Sequence, residues 1–291
     1  MSNSEQANAV TNRSKVADYL GVVPLTVFFA VFYLVPLVLL MAVSVDPSNS
    51  VGAFDLSNYA TFFSDAFTVG ILLDTLQLGL EVTIVATIFA FPLALLYRNA
   101  RPSLQSVLML VILLPLLTST VVRTFAWLVI LGRDGVINTA LTAFGLVTDP
   151  LRLLYTRGGL VIALAQIYLP LMALPIINSM IRIDDRLLQA SEGLSASKWR
   201  TFWLIIVPLS APGLLAGALL TFAGAATAFI TQTLVGGGRQ IFMPLLIYQQ
   251  AIGLQRWSFA ATLSILLMAA VLCILGLIDK LARSSMRGVD A

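Results

Sequence analysis

LLQASEGLSASKWRTFWLIIVPL, Leu187 to Leu209, is a polar, partly charged segment set between long apolar runs, and it ends in Val207-Pro208-Leu209. The chain around it is 59% hydrophobic and only 11% charged, against roughly 25% charged in an ordinary soluble domain. With a mean hydropathy of +0.95 and uncharged runs long enough to span lipid, its solvent is mostly the bilayer. A chain of this kind that interrupts itself with a polar segment offers an aqueous surface there, and a soluble partner is the expected reader of that surface.

Composition removes several functional classes. The 291 residues include no histidine and one cysteine. An internal disulfide is therefore impossible, and a zinc site lacks its usual ligands. Ser-His, Cys-His and His-metal chemistry are absent as well, which argues against an enzyme. No G-x-x-x-x-G-K-[ST] phosphate loop exists, and Gly236-Gly237-Gly238 has no lysine behind it.

Six helical spans fit the pattern, at 20–45, 69–97, 104–131, 159–181, 209–232 and 257–279, each near the ~20 residues that cross the hydrocarbon core. The expected fold is an all-α polytopic membrane domain over 19–281, between tails at 1–18 and 282–291. Pro36, Pro92, Pro115, Pro170 and Pro175 fall inside spans and are read as kinks, not breaks. Tyr19–Val45 is too long for a signal-peptide core and is read as a retained span. Counting Lys and Arg places eleven on the side of the N-terminus and leaves six, Arg157 and Arg123 among them. The positive-inside rule then puts both termini in the cytoplasm. The apolar piece Ile241–Tyr248 is too short to span, and is expected to lie on the outer face or re-enter from it.

Asp184-Asp185 would begin a helix in the polar segment, where the macrodipole favours negative charge. Leu187, Leu188, Ala190, Ser191, Leu194 and Ser195 follow at near-helical spacing. On chemistry alone this is either an interfacial amphipathic helix or a docking helix whose small residues Ala190, Ser191, Ser195 and Ala196 admit a partner.

The segment resembles the cytoplasmic signature loop of inner-membrane permeases of binding-protein-dependent ABC importers. That pattern is E-A-A, three residues, G, then about nine residues to I-x-L-P. Gln189-Ala190-Ser191, Ser195 and Ile206-Val207-Pro208 occupy its places here. Gln for Glu, Ser for the second Ala and Ser for Gly are the departures. The likeness extends over roughly 20–280 and is closest to the polyamine-type permeases, through Arg123-Thr124-Phe125-Ala126-Trp127, Gly135-Val136-Ile137-Asn138, Gly145-Leu146, Tyr168-Leu169-Pro170, Leu174-Pro175, Leu234–Gly237 and Ala260–Ser264. The resemblance implies a coupling loop at 182–208 whose short helix docks in a cytoplasmic ATPase through Gln189, Ala190, Ser191, Glu192, Ser195 and Ala196. It also implies two ATPase subunits, a second homologous permease and a substrate-binding protein as partners. This chain would bind no cofactor of its own, ATP and Mg residing on the ATPase, and no nucleic acid. The location implied is the bacterial inner membrane.

Ionisable residues within the bilayer are candidates for a translocation path because each is costly unless paired or hydrated. Asp74, Glu81 and Arg123 stand out. Along straight helices Glu81 lies ~18 Å and Arg123 ~12 Å below the outer ends of their spans. Those depths allow either a structural Glu81–Arg123 bridge or a carboxylate-lined path for a cationic solute. Trp127 and Tyr168, and less so Trp257, are either interfacial anchors or stacking partners for an ammonium group. Gln166 and Asn178 serve as interhelical glue or as ligands. The leading expectation is a permease for a small polar solute, a polyamine first, with opines and phosphonates behind it. A self-sufficient secondary transporter would show internal repeats that this chain lacks, and would leave the loop unexplained.

Overall fold

The computed structural model describes residues 23–46 and 55–287, with side chains to Lys280. Every element among them is helical. The expected tail at 1–18 lies outside these residues. In order the helices are α1 (Val23–Ser44), α2 (Ser57–Ser64), α3 (Ala66–Asn99), α4 (Pro102–Leu117), α5 (Thr120–Leu131), α6 (Val136–Ala143), α7 (Arg157–Ile181), α8 (Asp185–Gly193), α9 (Lys198–Ala226), α10 (Phe229–Gly236), α11 (Met243–Tyr248) and α12 (Trp257–Arg287). Five helices, α1, α3, α7, α9 and α12, are long and apolar enough to cross a membrane singly, and the bent pair Pro102–Leu117 plus Thr120–Ala143 makes a sixth.

α7 is the central helix. Its hydrophobic window is 61% buried, more than in any other span, and it packs against α3 on one side and α9 on the other. Lipid tails are as apolar as leucine, so helices in a bilayer associate through close packing of small residues. Gly213 and Gly217 of α9 form that contact. A Cβ on Gly213 would stand 2.3 Å from the Pro175 carbonyl oxygen, and one on Gly217 would stand 2.7 Å from that of Met172. The α3 side is closed by small and branched residues at helical spacing, Leu78, Val82, Ala86, Ala90 and Ala94, all fully buried. Hydroxyls inside α3 turn back on their own helix: Thr75 donates to Ile71 O and Thr83 to Gly79 O, each at 2.7 Å. Each buried donor is thereby satisfied without water.

α3 has 34 residues, about 51 Å at 1.5 Å per residue, and so overshoots a 30 Å hydrocarbon core. Asp65 caps its start, accepting from Phe67 N and Thr68 N and from the Thr68 hydroxyl. The Thr68 hydroxyl bond, with the two amide bonds, holds the Asp65 carboxyl below its ordinary value. α1 is bound to the bundle at its end by Thr262 Oγ1 donating to Ser44 O (3.1 Å). Over Val35–Ser44 it also packs against α12, while most of its side chains are exposed.

Three expectations change. Span three is broken: Pro115 sits in a 3-10 turn, Thr118 and Ser119 are extended, and the following helix leaves at 103°. Pro115 supplies no amide donor, and Ser119 Oγ accepts from Val121 N (3.3 Å) to start a new helix. The Thr-Ser-Thr run at 118–120 is thus a cap and not part of a span. The fifth span, expected at 209–232, runs Lys198–Ala226, and a separate helix begins at Phe229. Of the two placements expected for the piece 241–248, the structure takes the re-entrant one. Phe242 and Met243 are buried, and Met243 N donates to Thr75 Oγ1 (2.9 Å), so the segment folds back into the bundle. The last helix continues to Arg287 rather than ending at 279.

Close approach at Gly213 makes a specific demand. Gly213→Ala forces a methyl against backbone and should destabilise by about 1–3 kcal/mol as overpacking does. Gly276→Ala, with open space around its Cβ, should be neutral or gain up to about 1 kcal/mol. Thermal unfolding of the two variants in detergent checks this, and equal melting temperatures would rule out the contact as a determinant of the fold.

Candidate functional site

The ends of the bundle differ in chemistry. At one end lies the 184–208 segment, together with Val23 and the C-terminal part of α12. At the other, the far end, α3 and α7 begin. The charged groups of the far end are organised by a residue that sequence reading had counted only as a loop charge. Arg157 is the first residue of α7. Its Nε donates to Glu81 Oε2 at 2.9 Å and its Nη1 to Asp74 Oδ1 at 3.4 Å, while Gln77 Nε2 donates to Glu81 Oε1 at 2.9 Å. Asp74 and Glu81 are seven residues apart, two turns of one helix face, and converge on this one guanidinium. The positive end of α7 adds a further attraction for them. Asp74 and Arg157 line a cleft of about 350 Å³ with Phe67, Ile71, Arg239 and Phe242.

The expected Glu81–Arg123 bridge is absent. Arg123 Nη1 donates to Ile167 O and Nη2 to Thr120 Oγ1, both at 3.2 Å. Ile167 is ten residues into α7, about 15 Å below Arg157, whereas Glu81 lies level with Arg157. The depth estimated for Arg123 assumed a straight third span, and the bend after Ser119 invalidates it. Pro170 lies in the same stretch of α7 and leaves Gln166 O, one residue before this acceptor, without its helical amide. Arg123 Nε is buried without a hydrogen-bond partner, and no carboxylate pairs with Arg123 among the described residues.

Trp127 and Gln166 meet each other: the indole Nε1 donates to Gln166 Oε1 at 3.0 Å. The amide oxygen is thereby engaged as glue between α5 and α7. Tyr168 faces α9, its ring occupying the space that a side chain on Gly224 would need, 2.4 Å from a built Cβ. Arg123, Trp127, Gln166 and Tyr168 therefore surround the Pro170 kink, while Asp74 and Glu81 belong to a separate cluster at the far end.

In the polar segment, α8 is a self-contained helix. Asp184 caps it by accepting from Arg186 N (2.9 Å). Its end is a paired turn in which Ala196 N donates to Ser191 O (3.0 Å) and Ser195 N to Glu192 O (2.9 Å), with Ser195 in the left-handed region at φ 55°. Gln189, Ala190 and Glu192 are exposed, as is Leu194 at 84%. Ser191 is not exposed. At 7% it faces inward, donating to Leu188 O (2.8 Å) and meeting Thr201 Oγ1 (3.1 Å). The outward stripe is Leu187, Ala190 and Leu194, spaced i, i+3, i+7, and of the four small residues only part belongs to it. Behind it Trp199 stacks on Phe202, Trp203 meets both edge-on, and Phe202 contacts Phe91 of α3. Aromatics concentrated at one level suit a membrane–water interface.

Two measurements follow from this geometry. A double-mutant cycle on Glu81→Gln and Arg157→Gln should give a coupling of about 1–2 kcal/mol, between exposed and buried pairs. The cycle on Glu81→Gln and Arg123→Gln should be additive to about 0.5 kcal/mol, and the reverse ranking would refute the assignment of partners. Ser195→Gly should raise the melting temperature, because a Cβ in the left-handed region costs about 1 kcal/mol, while Ser195→Val should lower it. No change in either variant would mean that the turn is not formed.

Comparisons with known proteins agree with this architecture. The chain matches the model of the binding-protein-dependent transport system inner membrane component over residues 86–284. It is 29% identical over 238 residues to the spermidine/putrescine transport system permease PotB of Haemophilus influenzae, covering 80% of this chain and 83% of that protein. The Escherichia coli K12 protein of the same name is 31% identical over 214 residues, 74% of this chain and 78% of that one. In fold it is similar to a bacterial alginate ABC transporter crystallised with an alginate-bound periplasmic protein, with a TM-score of 0.77 at 15% identity, covering 94% of this chain and 96% of that one. The chain belongs to the family of inner-membrane components of binding-protein-dependent transport systems, and is a multi-pass permease subunit of an ABC importer.

Proposed function

We propose that this permease forms half of the translocation path for a polyamine. It works beside a second homologous permease, with two ATPase subunits that hold ATP and Mg and a substrate-binding protein on the outer side. Both termini then lie in the cytoplasm, the side that the Lys and Arg distribution favours. α8 is the docking helix for the ATPase, presenting Leu187, Ala190 and Leu194 with Gln189, Glu192, Ser195 and Ala196 around them.

The observation that carries the solute class is a coincidence of two kinds. Proteins about 30% identical over most of this chain are spermidine/putrescine permeases. Independently, the far end places two carboxylates, Asp74 and Glu81, beside a cleft whose lining also carries Arg157 and Arg239. Asp74, 58% exposed, is the carboxylate there that an ammonium group can reach. Arg123 favours a second reading. A guanidinium at mid-depth without a carboxylate suits a solute with an anionic group, such as an opine or phosphonate.

Uptake of labelled spermidine and putrescine in cells with and without this chain separates the two. Under the polyamine reading saturable uptake disappears without the chain, and Glu81→Gln lowers it by about tenfold, equivalent to 1.4 kcal/mol, with the permease still assembled. Unchanged polyamine uptake together with loss of uptake of a carboxylate- or phosphonate-bearing solute would sink that reading and establish the second.

A further inference from the structure

Arg98 is the penultimate residue of α3, and its side chain is only 8% exposed. Nε donates to Met180 O at 3.1 Å, and Nη2 donates to Ile183 O at 3.2 Å and to Asp185 Oδ1 at 2.7 Å. Met180 lies in the last turn of α7, Ile183 in the short link after it, and Asp185 is the first residue of α8. One guanidinium therefore joins the ends of α3 and α7 to the start of α8. It adds a second donor to the Met180 carbonyl, which also accepts from Ile183 N, and supplies one to the carbonyl of Ile183, and its fixed planar fork suits three acceptors held at different angles.

The local folding of α8 does not call for this arrangement, since α8 is capped by Asp184 at its start and by its own paired turn at its end. Asp185 itself is 81% exposed, so the ion pair is held in place from the Arg98 side. At the far end of the same two helices Arg157 of α7 grips Asp74 and Glu81 of α3. α3 and α7 are pinned by an arginine at each end and packed on buried side chains between. The opposite exit from α8 is built differently. The chain passes through Ser195 in the left-handed region and then a π-helical turn, Phe202–Ile206, directly before Pro208 and Pro212 of α9. A wide turn followed by prolines is a point where a helix bends.

We infer that Arg98 is a positioning residue that locks α8 to the α3–α7 pair, so that α8, α3 and α7 move as one rigid lever while the connection to α9 bends. The inference rests on α8 being the ATPase-docking helix, and it names what carries the displacement onward. The lever ends at the Arg157 cluster, so a shift of α8 arrives at the far end as a displacement of the cleft wall.

The test uses the assembled importer with its ATPase subunits and binding protein in proteoliposomes, in a Cys273→Ala background. Spin labels at Arg186→Cys on α8 and Leu73→Cys near the far end of α3, both exposed and outside the docking stripe and the cleft lining, report the length of the lever with and without ATP. The expected result is one unchanged distance distribution in both nucleotide states, and a broadened, ATP-dependent one in Arg98→Ala. ATP hydrolysed per putrescine taken up rises severalfold in Arg98→Ala and is partly restored in Arg98→Lys, a split that mere loss of stability would not produce. Asp185→Asn cuts only the link to α8 from an exposed side chain, and should show the same broadening if Arg98→Ala fails to assemble. The inference is overturned if the distance in the parent importer changes with ATP, or if Arg98→Ala and Asp185→Asn leave the distribution unchanged. Failure of the docking reading looks different: Ala190→Asp would then retain bound ATPase and normal uptake, whatever the spin labels report.

Discussion

Inside a bilayer, burying leucine against leucine gains little over leucine against lipid, so the bundle depends on how closely two backbones can approach. In this permease that approach is the crossing of α7 and α9 at Gly213 and Gly217, where Pro175 and Met172 carbonyls lie within 2.3 and 2.7 Å of a built Cβ. With α9 seated there, α7 is enclosed between α9 and α3 and becomes the reference for the remaining elements. Arg157 at its start and the Met180 carbonyl at its end fix its two contacts to α3. Ile167 near its middle offers the carbonyl that receives Arg123. A wider α7–α9 spacing would move all three.

Periodicity and length made much of this legible. The apolar runs gave the helical class and located five of the crossings, because a bilayer imposes both a length and a backbone pattern on whatever spans it, but the fifth was expected at 209–232 and runs Lys198–Ala226. The third crossing was misjudged for a local reason. Thr118-Ser119-Thr120 interrupts the apolar run by only three small polar residues, which hydropathy averages away. Read as an N-cap after Pro115, the same three residues give the break. The α8 helix was legible from Asp184-Asp185, but the inward turn of Ser191 was not, because its partner Thr201 lies beyond a turn whose direction depends on Ser195 adopting a positive φ.

Charged residues were found more readily than their partners. Asp74 and Glu81 were both placed within the second span, but Arg157 was assigned to a loop because the start of α7 was put two residues later. A helix that overshoots the hydrocarbon core by the length of α3 carries its acids to the level of the next helix start, and that offset cannot be seen in either segment alone. Arg98 was hidden for a related reason. It was counted with the cytoplasmic charges, which is the ordinary role of an arginine ending a span. Two of its acceptors are backbone carbonyls, which leave no mark in a sequence.

The two arginine clusters also bear on how a polycation would pass. Asp74 and Glu81 are already occupied by Arg157, so an incoming ammonium gains full attraction only by competing with a guanidinium tethered to the helix that must move. Asp74 is the more exposed member, 58% against 32% for Glu81, and its bond to Arg157 is the longer, 3.4 against 2.9 Å. Under the proposed polyamine reading Asp74 is the carboxylate that a solute engages first, while Glu81 holds Arg157 and accepts from Gln77. A strong empty anionic pair would hold a polyamine at the mouth. Carboxylates already engaged by Arg157 bind it less tightly, the condition that transport through successive weak sites requires.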